Sequence, residues 1–505
     1  MEPTAESSTL HSSTHADNTD APEATATTPL LPRAAASHER KSWSRYTRLG
    51  LSLTGVLILG VLVLTLLGLH SAADDGATSL WPNATLSNGT HTFRRTVILI
   101  SLDGAKPVYL DSGHAPHIQS LSTQPNGRRA EYMQPVFPTL TFPNHWALLT
   151  GLYASSHGIV ANDFTLGTTH AQFYYTDPRR SWPGSWWLGE PIWATVQRAG
   201  LSAAVLMWPG PPVTAAGVKP RYFQKYASGP EWDLQGRKRA VLDWIDMANV
   251  QDRPSLICAY VPDIDQAAHR FGPNSTQALQ AVRAVDAFVG ELHTELVHAR
   301  NLGGVVDVVV VSDHGMTSTS NARLVFLDQV LDAKVLAAVQ TRDAWPLAGL
   351  RFRGSQAEQD RMAQLAYTQL KKDAKGYDVF WRQELPERWH LNSPTVRDRL
   401  APLWMVPWPG WSITDHAEFA TFANGTYAPR GNHGYDNTHP DMHAIFAATG
   451  PSFSPHPKQG KPVMEAFDNV QVHNLVARIL GVPQRTRAPT NGTWSFWTPH
   501  LRSGL

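Results

Sequence analysis

Four short apolar runs recur along the chain, and three of them end beside an aspartate. They are TVILISLDG from Thr96, LSAAVLMW from Leu201, PSLICAYVPD from Pro254 and VVDVVVVSDHG from Val305. Runs of this length, rich in Val, Ile and Leu and not alternating with polar residues, predict strands buried on both faces. Between them, IWATVQRAG, KRAVLDWIDMA and TQALQAVRAVDAFVGELHTELVHA carry apolar residues at helical spacing. Strand and helix in alternation predict an α/β sandwich with a mainly parallel central sheet flanked by helices. Sites in such sheets gather at the carboxyl ends of the strands. Asp103, Asp265 and Asp313 each follow a strand-like run. Any one of them reads equally well as a helix cap or turn residue; together with nearby histidines they argue for a site.

A different pattern opens the chain. Residues 49–69, LGLSLTGVLILGVLVLTLLGL, hold no charge, and about twenty such residues span a bilayer as a helix. A transmembrane helix is therefore expected over 49–70. Arg40, Lys41, Arg45 and Arg48 precede it and SAADDG follows. That asymmetry makes 1–48 a cytosolic tail, disordered because its Ser, Thr, Ala and Pro residues bury little apolar surface. The expected topology is type II and single-pass, with a stalk over 71–94 and a catalytic domain over 95–505, extracellular or in the vacuolar or secretory lumen. Five glycosylation sequons, at Asn83, Asn88, Asn274, Asn424 and Asn491, all fall on that side. The region from about 345 to 410, with a Lys-bearing helical run and then PERWHL and WMVPWPGW, is expected to be an insertion packed on the main sheet.

Composition alters this picture little. A formal net charge of +1 gives no reason to expect a nucleic-acid partner. The single cysteine, Cys258, excludes an intrachain disulfide and sits in an apolar run, as a buried strand residue would. The 22 histidines raise the expectation of metal ligation. Candidate ligands are Asp103, Asp313 with His314, Asp265 with His269 in a DxxxH spacing, and His433; mixed oxygen and nitrogen donors suit zinc. PTLTFPNH offers Thr139 and Thr141, hydroxyls that become useful nucleophiles when a bound metal lowers their pKa. The same stretch also reads as a helix cap and turn.

The ordered blocks ILISLDGAKPVYL, FPTLTFPNHWALLTGLYASSHGIVAND, YVPDIDQAAHRFGP, VVSDHGM, GNHGYDN and MHAIFAATGPSF resemble the nucleotide pyrophosphatase/phosphodiesterase family of the alkaline phosphatase superfamily, from about Thr96 to residues 481–482. The shorter fungal members are the most similar in organisation, without cysteine-rich modules ahead of the catalytic domain or a nuclease-like domain after it. The resemblance implies an alkaline-phosphatase-like fold and two zinc ions. Asp265, His269 and His433 would hold one. Asp103, Asp313 and His314 would hold the other, with Thr141 as nucleophile and metal ligand. It implies a phospho-threonine ester hydrolysed by water activated at the first zinc. Two such metals, about 4 Å apart, neutralise charge on the entering and leaving oxygens. It further implies Asn144 as a hydrogen-bond donor to a phosphoryl oxygen, and Phe142 and Tyr226 as stacking residues on either side of a nucleobase. The family's acidic dipeptide before the DxxxH block is replaced here by Val261-Pro262-Asp263-Ile264, so the pocket wall differs there.

Three functions follow in descending order. The first is hydrolysis of nucleotide phosphodiester and pyrophosphate bonds to nucleoside 5′-monophosphates. The second is a two-zinc phosphodiesterase acting on lysophospholipid or choline-type esters. The third is a membrane glycoprotein without catalysis, which the intact set of ligand positions and Thr141 disfavours.

Overall fold

The computed structural model describes residues 84–372, 374–455, 463–503 and 505. The tail 1–48, the expected membrane helix 49–70, Asn83 and most of the stalk lie outside the described residues. Among the described residues, no helix is long and apolar enough to cross a membrane.

Eight strands build the central sheet: β1 (Thr96–Leu102), β2 (Gly127–Ala130), β3 (Ala203–Leu206), β4 (Tyr222–Gln224), β5 (Leu256–Val261), β6 (Val306–Val311), β7 (Phe446–Thr449) and β8 (Val463–Met464). Their order across the sheet is β8-β2-β7-β6-β1-β5-β3-β4. Pairing is parallel from β6 through β4, with β1 between β5 and β6. Strand β7 alone runs against its neighbours β6 and β2. The four apolar runs are β1, β3, β5 and β6, and every residue in them is buried.

That burial is two-sided. Val97, Leu99, Cys258 and Val309 pack toward one layer of helices, with Trp146, Val196 and Leu475. Ile98, Ile100, Ile257 and Val308 pack toward the other, with Ile118, Val241 and Val285. Successive residues of a strand point to opposite faces, so an unbroken apolar run is what a sheet covered on both sides requires. Two helices bear on the site: α1 (Thr141–Thr150) and α2 (Asp263–Phe271).

Around the region expected to be an insertion, a second, smaller sheet forms that reaches upstream of position 345. Strands Val339–Asp343, Ala348–Phe352, Leu403–Pro407 and Tyr377–Trp381 form an antiparallel sheet in that spatial order. Helix Gln356–Lys372 covers it, closing a separate core of Leu350, Phe352, Leu403, Met405, Ala366 and Leu370. The sheet begins six residues before position 345, because its first strand, VQTRD, has polar residues on both faces and no apolar run. It joins the main body where Ala344 donates its N–H to the Asp163 carbonyl and Thr165 Oγ1 donates to Asp343, at 3.0 and 3.1 Å.

Among the sequons, Asn274, Asn424 and Asn491 are exposed. Asn88 differs: its Nδ2, the atom a glycan would occupy, donates to the Arg300 carbonyl at 2.8 Å in a part-buried position.

Candidate active site

The carboxyl edge of the sheet gathers the acidic residues. Asp103 follows β1 directly, and its N–H donates to the carbonyl of Val261 at the end of β5 (2.9 Å). Gly104 then turns the chain at φ +70°, and a Cβ there would stand 3.1 Å from the Cα and Cβ of Asp265. Only glycine takes that backbone angle readily at so close an approach. Asp265 lies in the first turn of α2, and His269 follows one turn later on the same face, with Nε2 3.3 Å from Asp265 Oδ1. Asp313 and His314 follow β6. His433 comes from a distant part of the chain, placed by the short strand Gly431–Asn432, which pairs with Thr317–Ser318.

All six expected ligand positions, and Thr141 with them, converge. Asp265, His269 and His433 place ligand atoms within 4.8 Å of one another, as do Asp103, Asp265 and His314. His314 Nε2 lies 3.0 Å from Asp313 Oδ2, 3.5 Å from Asp103 Oδ1 and 3.3 Å from Thr141 Oγ1. Thr141 is the first residue of α1, where the helix dipole favours negative charge.

The donor set fits a metal centre. The Nδ1 atoms of His269, His314 and His433 each face a backbone carbonyl, of Gly431, Gly315 and Thr139, at 2.8, 2.9 and 2.8 Å. A carbonyl only accepts, so each Nδ1 carries the proton and each Nε2 presents a lone pair to the cluster. Facing those lone pairs are Asp103 Oδ1, Asp265 Oδ1 and Asp313 Oδ2, buried oxygens that accept no hydrogen bond. Acceptors confronting acceptors in a buried space are what cations satisfy. His145 also comes near, its Nδ1 3.2 Å from Asp313 Oδ2, but this ring is committed elsewhere. Its Nδ1 faces the Thr141 carbonyl at 2.8 Å and its Nε2 faces Ser101 Oγ at 2.9 Å. It positions Thr141 and Asp313.

Residues 97–436 match the family model described as type I phosphodiesterase / nucleotide pyrophosphatase. The chain belongs to this family. Family members are hydrolases of phosphodiesters and pyrophosphates, and so is this chain. It is 36% identical over 470 residues to an uncharacterized pyrophosphatase/phosphodiesterase of Schizosaccharomyces pombe, covering 91% of each chain. It is 30% identical to ectonucleotide pyrophosphatase/phosphodiesterase 1 of Saccharomyces cerevisiae, covering 88% of this chain and 65% of that one. A bis(5′-adenosyl)-triphosphatase of Xenopus laevis is 32% identical over 80% of this chain and 81% of its own. Murine ectonucleotide pyrophosphatase/phosphodiesterase 5 superposes with a TM-score of 0.69 at 28% identity, over 81% of this chain and 100% of that one. An inactive threonine-to-alanine form of the murine protein, solved in complex with AMP, superposes at 0.68 and 27% over the same shares.

One assignment for this phosphodiesterase is corrected by the geometry. Asn144 does not face the cluster. It is fully buried, its Nδ2 donates to the carbonyls of Val136, Pro138 and Leu140, and its Oδ1 accepts from Val136 N and Asn469 Nδ2. Its hydrogen bonds, rather than its place on α1, hold it away from the cluster: the amide is turned back into the loop 136–140 that precedes the helix. The amide beside the nucleophile belongs to Asn162, whose Oδ1 accepts the N–H of Phe142 at 2.9 Å. Its Nδ2 donates to no protein group among the described residues. Nothing in the spacing of GIVAND marked it, because the strand Asp163–Thr165 returns it to α1 from 20 residues away.

The two expected stacking residues occupy separate elements. Phe142 meets Phe173 and Tyr175 edge-on and Trp187 at a tilt, at 5.5–6.2 Å between ring centroids. Tyr226 is 49% exposed, meets Tyr260 edge-on at 6.3 Å, and its hydroxyl accepts from Gln266 Nε2 at 3.2 Å. Tyr260 in turn donates its hydroxyl to Asp103 Oδ2 in a short bond.

Charge in the centre is unevenly shared. Burial, then the charges of Asp313 and Asp265, lift the Asp103 carboxyl well above its usual range. Burial acts the same way on Asp313, but His314 and His145 outweigh it and hold that carboxyl well below. Burial, reinforced by His314, pushes His433 down to about 3, so its imidazole is neutral and fit to ligate.

Proposed function

We propose that this enzyme hydrolyses nucleotide phosphodiester and pyrophosphate bonds to nucleoside 5′-monophosphates, with Thr141 as the nucleophile. The observation that carries the reading is the position of Thr141 Oγ1, at the start of α1 and 3.3 Å from His314 Nε2, beside the unpaired carboxylate oxygens. Two divalent ions, zinc by the chemistry of the donors, would be held by Asp265, His269 and His433 and by Asp103, Asp313, His314 and Thr141. When bound, they supply Lewis acidity that neutralises the phosphoryl oxygens and favours the ionised threonine.

Thr141 gives up its hydroxyl proton to bulk water as Oγ1 attacks phosphorus, the P–O bond to the leaving group breaks, and the leaving group departs with the electron pair. Water then attacks the phospho-threonine from the opposite side. The P–Oγ bond breaks, nucleoside monophosphate leaves, and a proton from water returns to Thr141. The free amide of Asn162 donates to a non-bridging phosphoryl oxygen in both steps, taking the role that Asn144 cannot. Phe142 supplies one face for the base and Tyr226 the other. The murine relative named with AMP supports a nucleotide as substrate, and its inactive threonine-to-alanine form supports a threonine in the chemistry.

The names of the relatives as ectonucleotide enzymes support a catalytic domain outside the cytosol. There it would be anchored by the helix expected over 49–70 and would carry N-linked glycans. Retention of the full chain in membranes after an alkaline wash checks the anchor; release into the supernatant would remove it.

The deciding assay gives the zinc-loaded protein ATP, a p-nitrophenyl nucleotide diester and a lysophospholipid, with Thr141→Ala alongside. Nucleoside monophosphate is expected from the first two. Loss should be at least about a thousandfold in the variant, with bound metal partly retained. Turnover of the lysophospholipid alone would move the substrate class, and full activity of Thr141→Ala would remove the mechanism.

A further inference from the structure

A surface cavity of about 540 Å³ opens where α2 ends. Arg270, Phe271, Asn274, Ser318, Thr319 and Arg430 line it. No candidate metal ligand does, and the mechanism above does not use it. Asn274 is the first residue of the sequon Asn274-Ser275-Thr276. The turn that carries it is pinned on both sides. The Gly272 N–H donates to the Ala268 carbonyl at 2.8 Å, the Tyr109 hydroxyl donates to the Pro273 carbonyl at 2.8 Å, and the Ser275 N–H closes the turn on the Gly272 carbonyl at 3.1 Å. Ser275 Oγ then caps α3 (Thr276–Thr294), accepting the Ala278 N–H at 3.1 Å. Asn274 differs from its neighbours: it is exposed, and its side-chain amide has no hydrogen bond among the described residues. A group joined to Nδ2 therefore starts at the wall of this cavity, from a backbone that does not move.

The lining suits a sugar. Phe271 is 42% exposed, and the weakly positive C–H groups of a pyranose pack on the negative face of such a ring. Arg270 and Arg430 are exposed, and among the described residues neither guanidinium has an ion pair or a hydrogen bond; Arg270 only lies over the Phe271 ring, 5.0 Å from the centroid. Guanidinium N–H groups donate to hydroxyl and N-acetyl oxygens as readily as to anions. Each such contact is weak, but covalent attachment at Asn274 makes binding intramolecular, so weak contacts suffice.

The same cavity joins two segments that deliver metal ligands. The Arg430 N–H donates to the His269 carbonyl, and the Gly431 carbonyl faces His269 Nδ1, both at 2.8 Å. A Cβ on Gly272 would lie 4.0 Å from the Cβ of Arg430, so the end of α2 and the approach to His433 run side by side. A sugar resting on Phe271 and bonded to Arg430 spans both.

We propose that the first sugars of an N-linked glycan on Asn274 occupy this cavity, stacked on Phe271 and bonded to Arg270 and Arg430, and brace the segments that carry His269 and His433. This rests on the placement of the catalytic domain outside the cytosol. The glycan is joined when Asn274 Nδ2 loses a proton and attacks C1 of a lipid-pyrophosphate-linked oligosaccharide. The C1–O bond breaks, and the lipid pyrophosphate leaves with the electron pair.

The test uses the full chain from a glycosylating host, with zinc bound. Peptide mass spectrometry should find sugar at Asn274 as well as at Asn424. Bare Asn274 beside an occupied Asn424 overturns the seat alone; sugar at no sequon overturns the placement outside the cytosol and the seat with it. Native protein is then treated with an amidase that cuts the sugar–asparagine bond. The Phe271→Ser variant and the Arg270→Gln, Arg430→Gln double variant should each lose the Asn274 glycan about tenfold faster than wild type, because an undocked core is open to the enzyme. These are surface side chains, and the arginine variant leaves the aromatic ring in place. Unchanged release in both variants overturns the seat. Zinc release to a chromogenic chelator tests the brace: Asn274→Gln should lose zinc severalfold faster than wild type, and an equal rate overturns it.

Discussion

The Nε2 atoms of His269 and His433 face each other across 3.1 Å, although each ring presents its Nδ1 to a backbone carbonyl. Two lone pairs at that separation repel unless a cation lies between them and Asp265. Metal removal is therefore expected to destabilise the fold as well as silence it. Near-saturating zinc at about a hundred times its Kd contributes roughly 2.7 kcal/mol per site. Thermal unfolding with and without chelator at pH 8 measures this, and His433→Ala should shrink the difference. A chelator-insensitive Tm would speak against the centre as the stabilising element.

Asn144 and Asn162 should separate cleanly on substitution. Asn144→Ala strips hydrogen bonds from several buried backbone groups and is expected to destabilise by about 2–4 kcal/mol. Asn162→Ala should leave Tm nearly in place and lower kcat by about a hundredfold or more. Denaturant melts alongside steady-state kinetics distinguish them; the reverse pattern would restore Asn144 to the chemistry.

Tyr260→Phe deletes the hydroxyl that donates to Asp103 Oδ2 and changes nothing that touches substrate directly. Partners that orient metal ligands commonly account for about tenfold or more in affinity. Zinc competition with a chromogenic chelator is expected to show a weakening of that order. Unchanged affinity would mean that Asp103 is held by its backbone alone.

Asp163 gives the junction between insertion and main body a pH dependence. Burial first, then the charge of Asp343, raise its carboxyl to about 7, while the N–H groups of Ala344 and Trp345 oppose the shift. The folded value lies above the unfolded one, so the folded state binds the extra proton between about pH 4 and 7, and stability falls as pH rises through that window. Asp163→Asn, which keeps an acceptor for Ala344, should flatten this slope and stabilise the protein by about 2 kcal/mol at pH 8. Urea midpoints at pH 5 and pH 8 check it; an equal slope in the variant would assign the dependence elsewhere.

Glycan occupancy should follow side-chain freedom. Asn424 is exposed, whereas Asn88 already commits Nδ2 to the Arg300 carbonyl. After expression in a glycosylating host, peptide mass spectrometry is expected to find sugar at Asn424 and bare Asn88. A fully occupied Asn88 would mean that modification precedes formation of that contact.

Local pattern determined much of this protein. The unbroken apolar runs of β1, β3, β5 and β6 could be strands buried on both faces, and acidic residues at their ends could mark a site, because side-chain period and strand-end position are properties of short segments. DxxxH was legible for the same reason, since one helical turn brings Asp265 and His269 to one face. The tertiary structure decided the rest. The first strand of the insertion sheet, VQTRD, carries no apolar signal and is defined by its neighbour. Asn144 and Asn162 are chemically identical amides, and only long-range packing turns one into a clamp on its own loop and sets the other against Phe142. Arg270 and Arg430 are 160 positions apart in sequence, and no periodicity links them. They share a cavity because the strand that delivers His433 is bonded to the helix that carries His269.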